Sequence, residues 1–304
     1  MTEPKNAKGT LMSDKKIDLN ALKAVGLIKQ KDPGLFSVRL RVVGGRMESD
    51  HLAVLAAIAR KYGRGHVHLT TRQGVEIPYV RLEDVDAMRA DLTACGMELG
   101  VGGARVRTIT ACQGATCTHG LIDPQTLAVK IDRLVYGRGG LPHKFKIAIT
   151  GCPNACIKPL ENDLGIMGLA RKVFLPERCT LCKLCIRACP VAGTLAVENG
   201  RLACHAETCI ACGTCVATCP TGAWELTGAG YALFVGGKMG KRPRLANRLR
   251  LEVDTEEHVL RIVLTVLDWY VANGHKGERF GDTLDRVGVV VLENHLKAPG
   301  ENSS

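Results

Sequence analysis

Two copies of one cysteine run restrict this chain more than any other feature. Cys179, Cys182, Cys185 and Cys189-Pro190 read C-x2-C-x2-C-x3-C-P, and Cys209, Cys212, Cys215 and Cys219-Pro220 repeat it. Each half is too short to build an apolar core, so the segment needs bound metal to hold a shape. A lone C-x2-C would suit zinc or redox chemistry equally. Two full runs point to paired 4Fe–4S clusters, because zinc sites seldom use three cysteines at consecutive two-residue gaps. In such pairs each cubane takes three thiolates from one run and the last from the other. Cys179, Cys182, Cys185 and Cys219 are therefore assigned to one cluster, and Cys209, Cys212, Cys215 and Cys189 to the second. Closely spaced clusters conduct electrons and catalyse nothing unaided, so a further redox centre is expected elsewhere.

Four more cysteines can supply it: Cys112 and Cys117 in ACQGATC, and Cys152 and Cys156 in TGCPNAC. Pro153 reads as a first-turn helix proline, which would place the thiols at a helix N-terminus where thiolate is favoured. The plainer alternative is four buried, inert cysteines. Cys95 and Cys204 lack partners at ligand spacing and are read as packing residues.

The setting agrees with metal ligation. The N-terminal MTEPKNAKGTLMSDKK has no apolar signal core, which predicts a reducing cytoplasmic location where 14 cysteines are poor disulfide candidates. No run of 18 apolar residues predicts a membrane span. The net charge of +11 fits a nucleic-acid binder, a merely basic surface, or a protein whose bound anions the count omits. Scattered basic residues and only 4% aromatics argue against nucleic acid. Each cubane with its four thiolates would contribute about −2.

Hydrophobic periodicity predicts an α+β protein with five segments. Residues 1–34 form an arm with a short helix in LNALKAVGLIK and a break at Pro33-Gly34. Residues 35–100 read β-α-β-β-α: FSVRLRVV, SDHLAVLAAIARKYG, GHVHLTT, EIPYV and LEDVDAMRADLTACG. Residues 101–175 hold ARVRTITACQGATC, the helix PQTLAVKIDRLVYG and the strand KFKIAIT. The cysteine-dense insert occupies 176–225. Residues 226–304 return to YALFVGG, LRLEVD, the amphipathic TEEHVLRIVLTVLDWYVANG and GERFGDTLDRVG.

LTTRQG, VRTITACQGATC, KFKIAITGCPNAC and VGGKMGKRPRL together resemble the siroheme-dependent sulfite and nitrite reductases. The order of parts is similar to the C-subunit type of anaerobic sulfite reductase, in which one reductase repeat is interrupted by a bacterial-type two-cluster ferredoxin domain. The resemblance covers roughly residues 35–290. It implies a siroheme fold with a ferredoxin-like N-terminal unit, and three 4Fe–4S clusters in all. One cluster would be held by Cys112, Cys117, Cys152 and Cys156, with Cys156 bridging to the siroheme iron. The family's first pair is C-x5-C; here it is C-x4-C, a loop shortened by up to about 3.5 Å of reach, which Gly114 is expected to absorb.

By the same resemblance Arg72, Arg107, Lys144 and Lys146 match substrate-binding positions. Cations suit a site that holds sulfite and feeds protons to departing oxygens. Strand alternation points Lys144 and Lys146 to one face. Siroheme carries several carboxylates, and Arg72, Gly236, Gly237, Lys238, Lys241, Arg242 and Arg244 are candidate contacts. Arg279 and Arg286 are left between structure and cofactor, and His119 and His143 receive no role. A single repeat implies a homo- or hetero-oligomer. The absence of a GxGxxG fingerprint assigns flavin or NAD(P)H chemistry to donor subunits or a ferredoxin. Rival readings are an ammonia-forming nitrite reductase, a non-catalytic iron–sulfur electron carrier and a nucleic-acid binder.

Overall fold

A computed structural model describes residues 18–297. Two sheets organise it. The first is antiparallel, in the order Leu27–Lys29, Leu35–Arg39, Val75–Arg81, His68–Leu69. Helices Ser49–Tyr62 and Val85–Ala94 cover it, burying Leu55, Ile58, Met88 and Leu92 against Phe36, Val38, Ile77 and Val80. The β-α-β-β-α order read from the sequence is present, preceded by the short helix Leu19–Ala24 and by a strand, Leu27–Lys29, that the sequence reading folded into the arm. Asp18 caps that helix, accepting from the Asn20 and Ala21 amides.

The second sheet runs Asn247–Arg248, Trp224–Val235, Leu164–Phe174, Ile147–Thr150, Thr110–Ala111. Thr110–Ala111, Ile147–Thr150 and Leu164–Phe174 are parallel, whereas Trp224–Val235 pairs antiparallel along Leu164–Phe174. Helices Pro124–Val135 and Glu256–Asn273 pack on it, with the Pro124–Val135 helix started by Asp123 capping and a first-turn proline. The second helix contributes Trp269 and Tyr270 to an aromatic cluster: Phe280 sits 5.3 Å from Phe145, 5.1 Å from Tyr270 and 6.2 Å from Trp269, ring centre to ring centre. The chain continues into helices Phe280–Val287 and Val289–Lys297, the second of which the sequence reading did not separate.

Strands Leu164–Phe174 and Trp224–Val235 form one long ribbon, with Trp224 opposite Phe174 at its outer end. Residues 175–223 fold between those strands into a small unit of two short helices, Leu184–Ala188 and Thr214–Thr218, and a hairpin, Leu195–Glu198 with Arg201–Cys204. Its apolar core is minimal, essentially Cys185, Leu195, Cys215 and Trp224.

One local expectation fails. No helix follows Pro153; residues 151–158 are successive turns, ending in the short 3-10 segment Pro159–Glu161. Ala155 (φ 53°) and Lys158 (φ 50°) are left-handed, which breaks any right-handed helix, and Pro159 disfavours helical backbone at the residue before it.

Phe280 is fully buried. Phe280→Ala should therefore cost about 3–5 kcal/mol, read as a lower melting temperature with an unchanged far-ultraviolet circular dichroism spectrum at low temperature.

Candidate active site and cluster-binding loops

The motif LTTRQG forms the turn between His68–Leu69 and Val75–Arg81. Gln73 occupies left-handed backbone there (φ 56°) and its amide pairs twice with Ala111, donating to its carbonyl at 2.9 Å and accepting from its N–H at 3.0 Å. The first sheet is thereby locked to the strand that leads into Cys112. Its neighbour Arg72 donates to Asn162 Oδ1 at 2.5 Å and to the Thr108 carbonyl at 3.1 Å.

Arg72, Arg107, Lys144 and Lys146 line one cleft of about 250 Å3, together with Thr70, Thr71 and Arg39. Phe145, fully buried between the two lysines, explains why both point the same way. Arg107 donates to the Val101 and Gly103 carbonyls, and its Nε is buried without a partner among the described residues. Burial pushes the Arg72 and Arg107 guanidiniums down to about 10, and neighbouring cations push the same way. Lys146 is lowered to about 8 by burial and by Arg72 and Lys144, and Lys144 shifts down for the same kinds of reason. The cleft thus holds more positive charge than its carboxylates balance, the condition in which an anionic guest is stabilised.

Arg39 was missed. In FSVRLRVV it reads as an outward residue of a strand, yet it enters this cleft while Glu76 accepts from its Nε at 2.9 Å and Nη2 at 2.7 Å. Beneath the cleft Asp163 is fully buried. It accepts from Arg279 Nη2 at 2.9 and 3.0 Å and from the Lys146 amide at 2.9 Å, and its carbonyl accepts from Gly236 N–H at 2.8 Å. Arg279 is thereby a structural partner of Asp163, and Arg286 pairs with Glu278 and the Asn273 carbonyl.

The basic segment after Val235 is tied to the rest of the chain by its own contacts. Lys238 pairs with Asp282, and Arg244 with Asp285, Asn247 and the Gly236 carbonyl. Lys241 and Arg242 are exposed. Gly236 and Gly237 leave room for this chain itself: a Cβ on Gly236 would lie 2.8 Å from Arg244 and Leu284 atoms, and one on Gly237 2.2 Å from the Leu160 carbonyl.

Cys112, Cys117, Cys152 and Cys156 lie on adjoining turns. Gly151 donates to Cys112 Sγ at 3.1 Å. Burial pushes the Cys152 thiol up, the Asn154 amide opposes this, and the charges of Cys112, Cys156 and Cys117 add to the rise, so all four sulfurs share one electrostatic neighbourhood. The shortened first loop closes as the 3-10 turn Gly114–Thr116, tight because a Cβ on Gly114 would meet Pro124 at 2.6 Å. Gly114 is required there by close approach, not by positive φ.

In the cysteine-rich unit one cavity is lined by Cys179, Cys182, Cys185 and Cys219, and another by Cys189, Cys209, Cys212 and Cys215. Both C-x2-C turns carry left-handed residues at matching places, Leu181 and Lys183 in one and Ala211 and Gly213 in the other. Alternating left-handed backbone of this sort turns N–H groups toward one point and forms an anion-binding nest, which suits an iron–sulfur core. Cys204 also lines the second cavity and is exposed, so the packing role read from spacing does not describe it; Cys95 does pack against the first core. Among the described residues no three His, Cys, Asp or Glu side chains converge tightly enough to grip a single metal ion.

Comparison with known proteins agrees with this geometry. The nitrite and sulphite reductase 4Fe-4S domain matches residues 102–301, and the nitrite/sulfite reductase ferredoxin-like half domain matches 28–95. The chain is 33% identical over 279 residues to the C subunit of anaerobic sulfite reductase from Salmonella typhimurium, covering 83% of this chain and 80% of that one. It is 32% identical to the chloroplastic ferredoxin–nitrite reductase of Zea mays over 49% of this chain and 26% of that protein. Its fold resembles the crystal structure of dissimilatory sulfite reductase I, with a TM-score of 0.71, 20% identity, and 88% of this chain and 72% of that chain covered. The chain belongs to the siroheme nitrite and sulfite reductase family, and is an iron–sulfur oxidoreductase of that family. Among the described residues no helix is long and apolar enough to cross a membrane.

A lysine near pH 8 gives the cleft a pH signature. Raising the pH through about 8 discharges Lys146, so affinity for a divalent oxyanion such as sulfate should fall across that range. Lys146→Met should abolish the break and weaken binding at pH 7 by about tenfold to a hundredfold, given about 1.5–3 kcal/mol for a hydrogen bond to a charged group. Isothermal titration between pH 6.5 and 9 measures both.

Proposed function

We propose that this chain is the siroheme-bearing subunit of a sulfite reductase that converts sulfite to sulfide with six electrons. The observation that carries this reading is one cleft lined by Arg39, Arg72, Arg107, Lys144 and Lys146, with Arg107 and Thr108 on the segment that leads through Thr110–Ala111 to Cys112. In this reading Cys112, Cys117, Cys152 and Cys156 would hold a 4Fe–4S cluster, and Cys156 would join it to siroheme. Bound there, such a centre would supply the electrons for S–O cleavage. The two cavities of the cysteine-rich unit would hold the remaining clusters and relay electrons from a separate donor.

The chain's own residues bind and protonate. Arg107 and Lys144 offset the charge of the dianion, and Arg72, held by Asn162 and Thr108, has both charge and a fixed direction. Lys146, lowered to about 8, can release a proton near neutral pH and recover it from water. The surplus of desolvated cations also suits an acidic tetrapyrrole. A second reading, reduction of nitrite to ammonia, draws on the match to the Zea mays nitrite reductase, but that match spans only 49% of this chain. The match to the Salmonella typhimurium sulfite reductase spans far more of both chains, and sulfite is preferred on that ground.

Protein purified without oxygen should show a siroheme Soret band with a red-region band and about thirteen irons, twelve in three cubanes and one in the macrocycle. With an artificial reductant, kcat/KM for sulfite should exceed that for nitrite. Arg107→Ala should lower the sulfite value by about 10²–10³, the usual cost of one anion-stabilising donor. Cys156→Ser should uncouple the cluster from siroheme in its electron paramagnetic resonance spectrum. Brown iron–sulfur absorbance alone, without siroheme or turnover, would overturn the proposal in favour of an electron carrier.

A further inference from the structure

The two cavities of the cysteine-rich unit are not equivalent in position. Ala211, inside the second run, accepts from the Ala170 N–H at 2.8 Å, partway down the ribbon. A Cβ on Gly213 would lie 3.3 Å from Ala170 Cβ and 3.6 Å from Leu121. Leu121 in turn donates its N–H to Gly151, whose own N–H donates to Cys112 Sγ. The cavity of Cys189, Cys209, Cys212 and Cys215 therefore faces the Cys112–Cys156 loops. The cavity of Cys179, Cys182, Cys185 and Cys219 lies by Phe174 and Trp224, at the ribbon's outer end.

They also differ in charge. Lys172, half-buried on the ribbon, donates from Nζ to Cys209 Sγ at 3.2 Å and lies 5.6 Å from the centre of the Trp224 ring. At the outer cavity the corresponding cation is Lys183, which is exposed, so water and salt screen it. Arg178 nearby is paired with Glu225. A one-electron reduction adds a negative charge to an iron–sulfur core. A fixed ammonium hydrogen-bonded to a ligand sulfur stabilises the reduced form more than the oxidised one and raises the potential.

We propose that Lys172 sets the direction of electron flow by holding the inner cluster, that of Cys189, Cys209, Cys212 and Cys215, at a higher reduction potential than the outer one. The inference rests on the proposed function only in taking both cavities to hold 4Fe–4S clusters. Its step is simple: an external one-electron donor reduces the outer cluster, which is reoxidised as the inner one takes the electron. No bond is made or broken and no proton moves. Lys172 is a positioning residue for charge and does not touch substrate.

Redox titration of the purified holoprotein with dithionite, followed by electron paramagnetic resonance, tests this. Wild type should show two cluster potentials besides that of the siroheme-coupled centre. Lys172→Met should lower the higher of the two, shifting the electron distribution between them by about tenfold or more, equivalent to ~59 mV for a one-electron couple. The lower potential and the siroheme Soret band should not move. Lys172→Arg should restore the wild-type value, and Lys183→Met should leave the higher potential in place. The proposal is overturned if Lys172→Met moves neither potential, moves the lower one, or is matched by Lys172→Arg. Wild-type protein lacking both cluster signals would instead remove the cluster assignment itself, and this inference with it.

Discussion

A fully buried carboxylate, Asp163, is the point on which the reductase half of this molecule is assembled. Its side chain joins Arg279, from the segment before the helix Phe280–Val287, to the backbone of Lys146. Its carbonyl fixes Gly236, and Asn162 beside it holds Arg72 from the other sheet. Four distant segments thus meet at two adjacent residues. Burial drives the Asp163 carboxyl upward and Arg279 opposes that shift. Removing one partner of such a pair leaves an uncompensated buried charge, which is far costlier than never having built it. The same pair helps the cleft above it to remain crowded with cations: the Asp163 carboxylate lies below, where it favours the charged forms of Lys146 and Arg72 without occupying the guest's position.

The five-stranded sheet and the cysteine-rich unit occupy opposite ends of the ribbon of Leu164–Phe174 and Trp224–Val235. Its inner half belongs to the five-stranded sheet and is apolar, with Leu164, Ile166, Leu233 and Val235 in the main core. Its outer half carries the cysteine-rich unit, whose own core is almost nothing but sulfur, Leu195 and Trp224. Such a unit cannot be organised by the hydrophobic effect alone.

Much of this was legible in the sequence because the informative residues carry local signals. The paired cysteine runs, the amphipathic helices and the apolar strands announce themselves through spacing and periodicity. The group of Arg72, Arg107, Lys144 and Lys146 became visible through motif resemblance, and these residues do converge. What stayed hidden depends on contacts remote in the chain. Arg39 alternates with buried neighbours as any edge-facing residue would, and nothing local says that its outer face is a cleft wall. The ion pairs of Lys238 with Asp282 and of Arg244 with Asp285 were equally out of reach, because the carboxylates arrive from a helix some forty residues away. The turns at Cys152–Cys156 were misread as helix because a proline after a cap-like position is a genuine start signal, overridden here by left-handed Ala155 and Lys158. The ribbon's full length was hidden because only its inner half shows the apolar character of a buried strand.

The ribbon also has a bearing on biogenesis. Its two strands are separated by residues 175–223, so pairing them requires closing a long loop before any register contact repays the entropy. The proposed ligand sets cross between runs, Cys219 joining the first and Cys189 the second. Inserting iron and sulfide would therefore tie the loop together from within and shorten the search for strand register. With those ligand sets, maturation of the sheet and loading of the inorganic cores would become a single cooperative event. A cell starved of iron would then accumulate a chain with its outer strands unzipped, a form open to proteolysis before it is ever active.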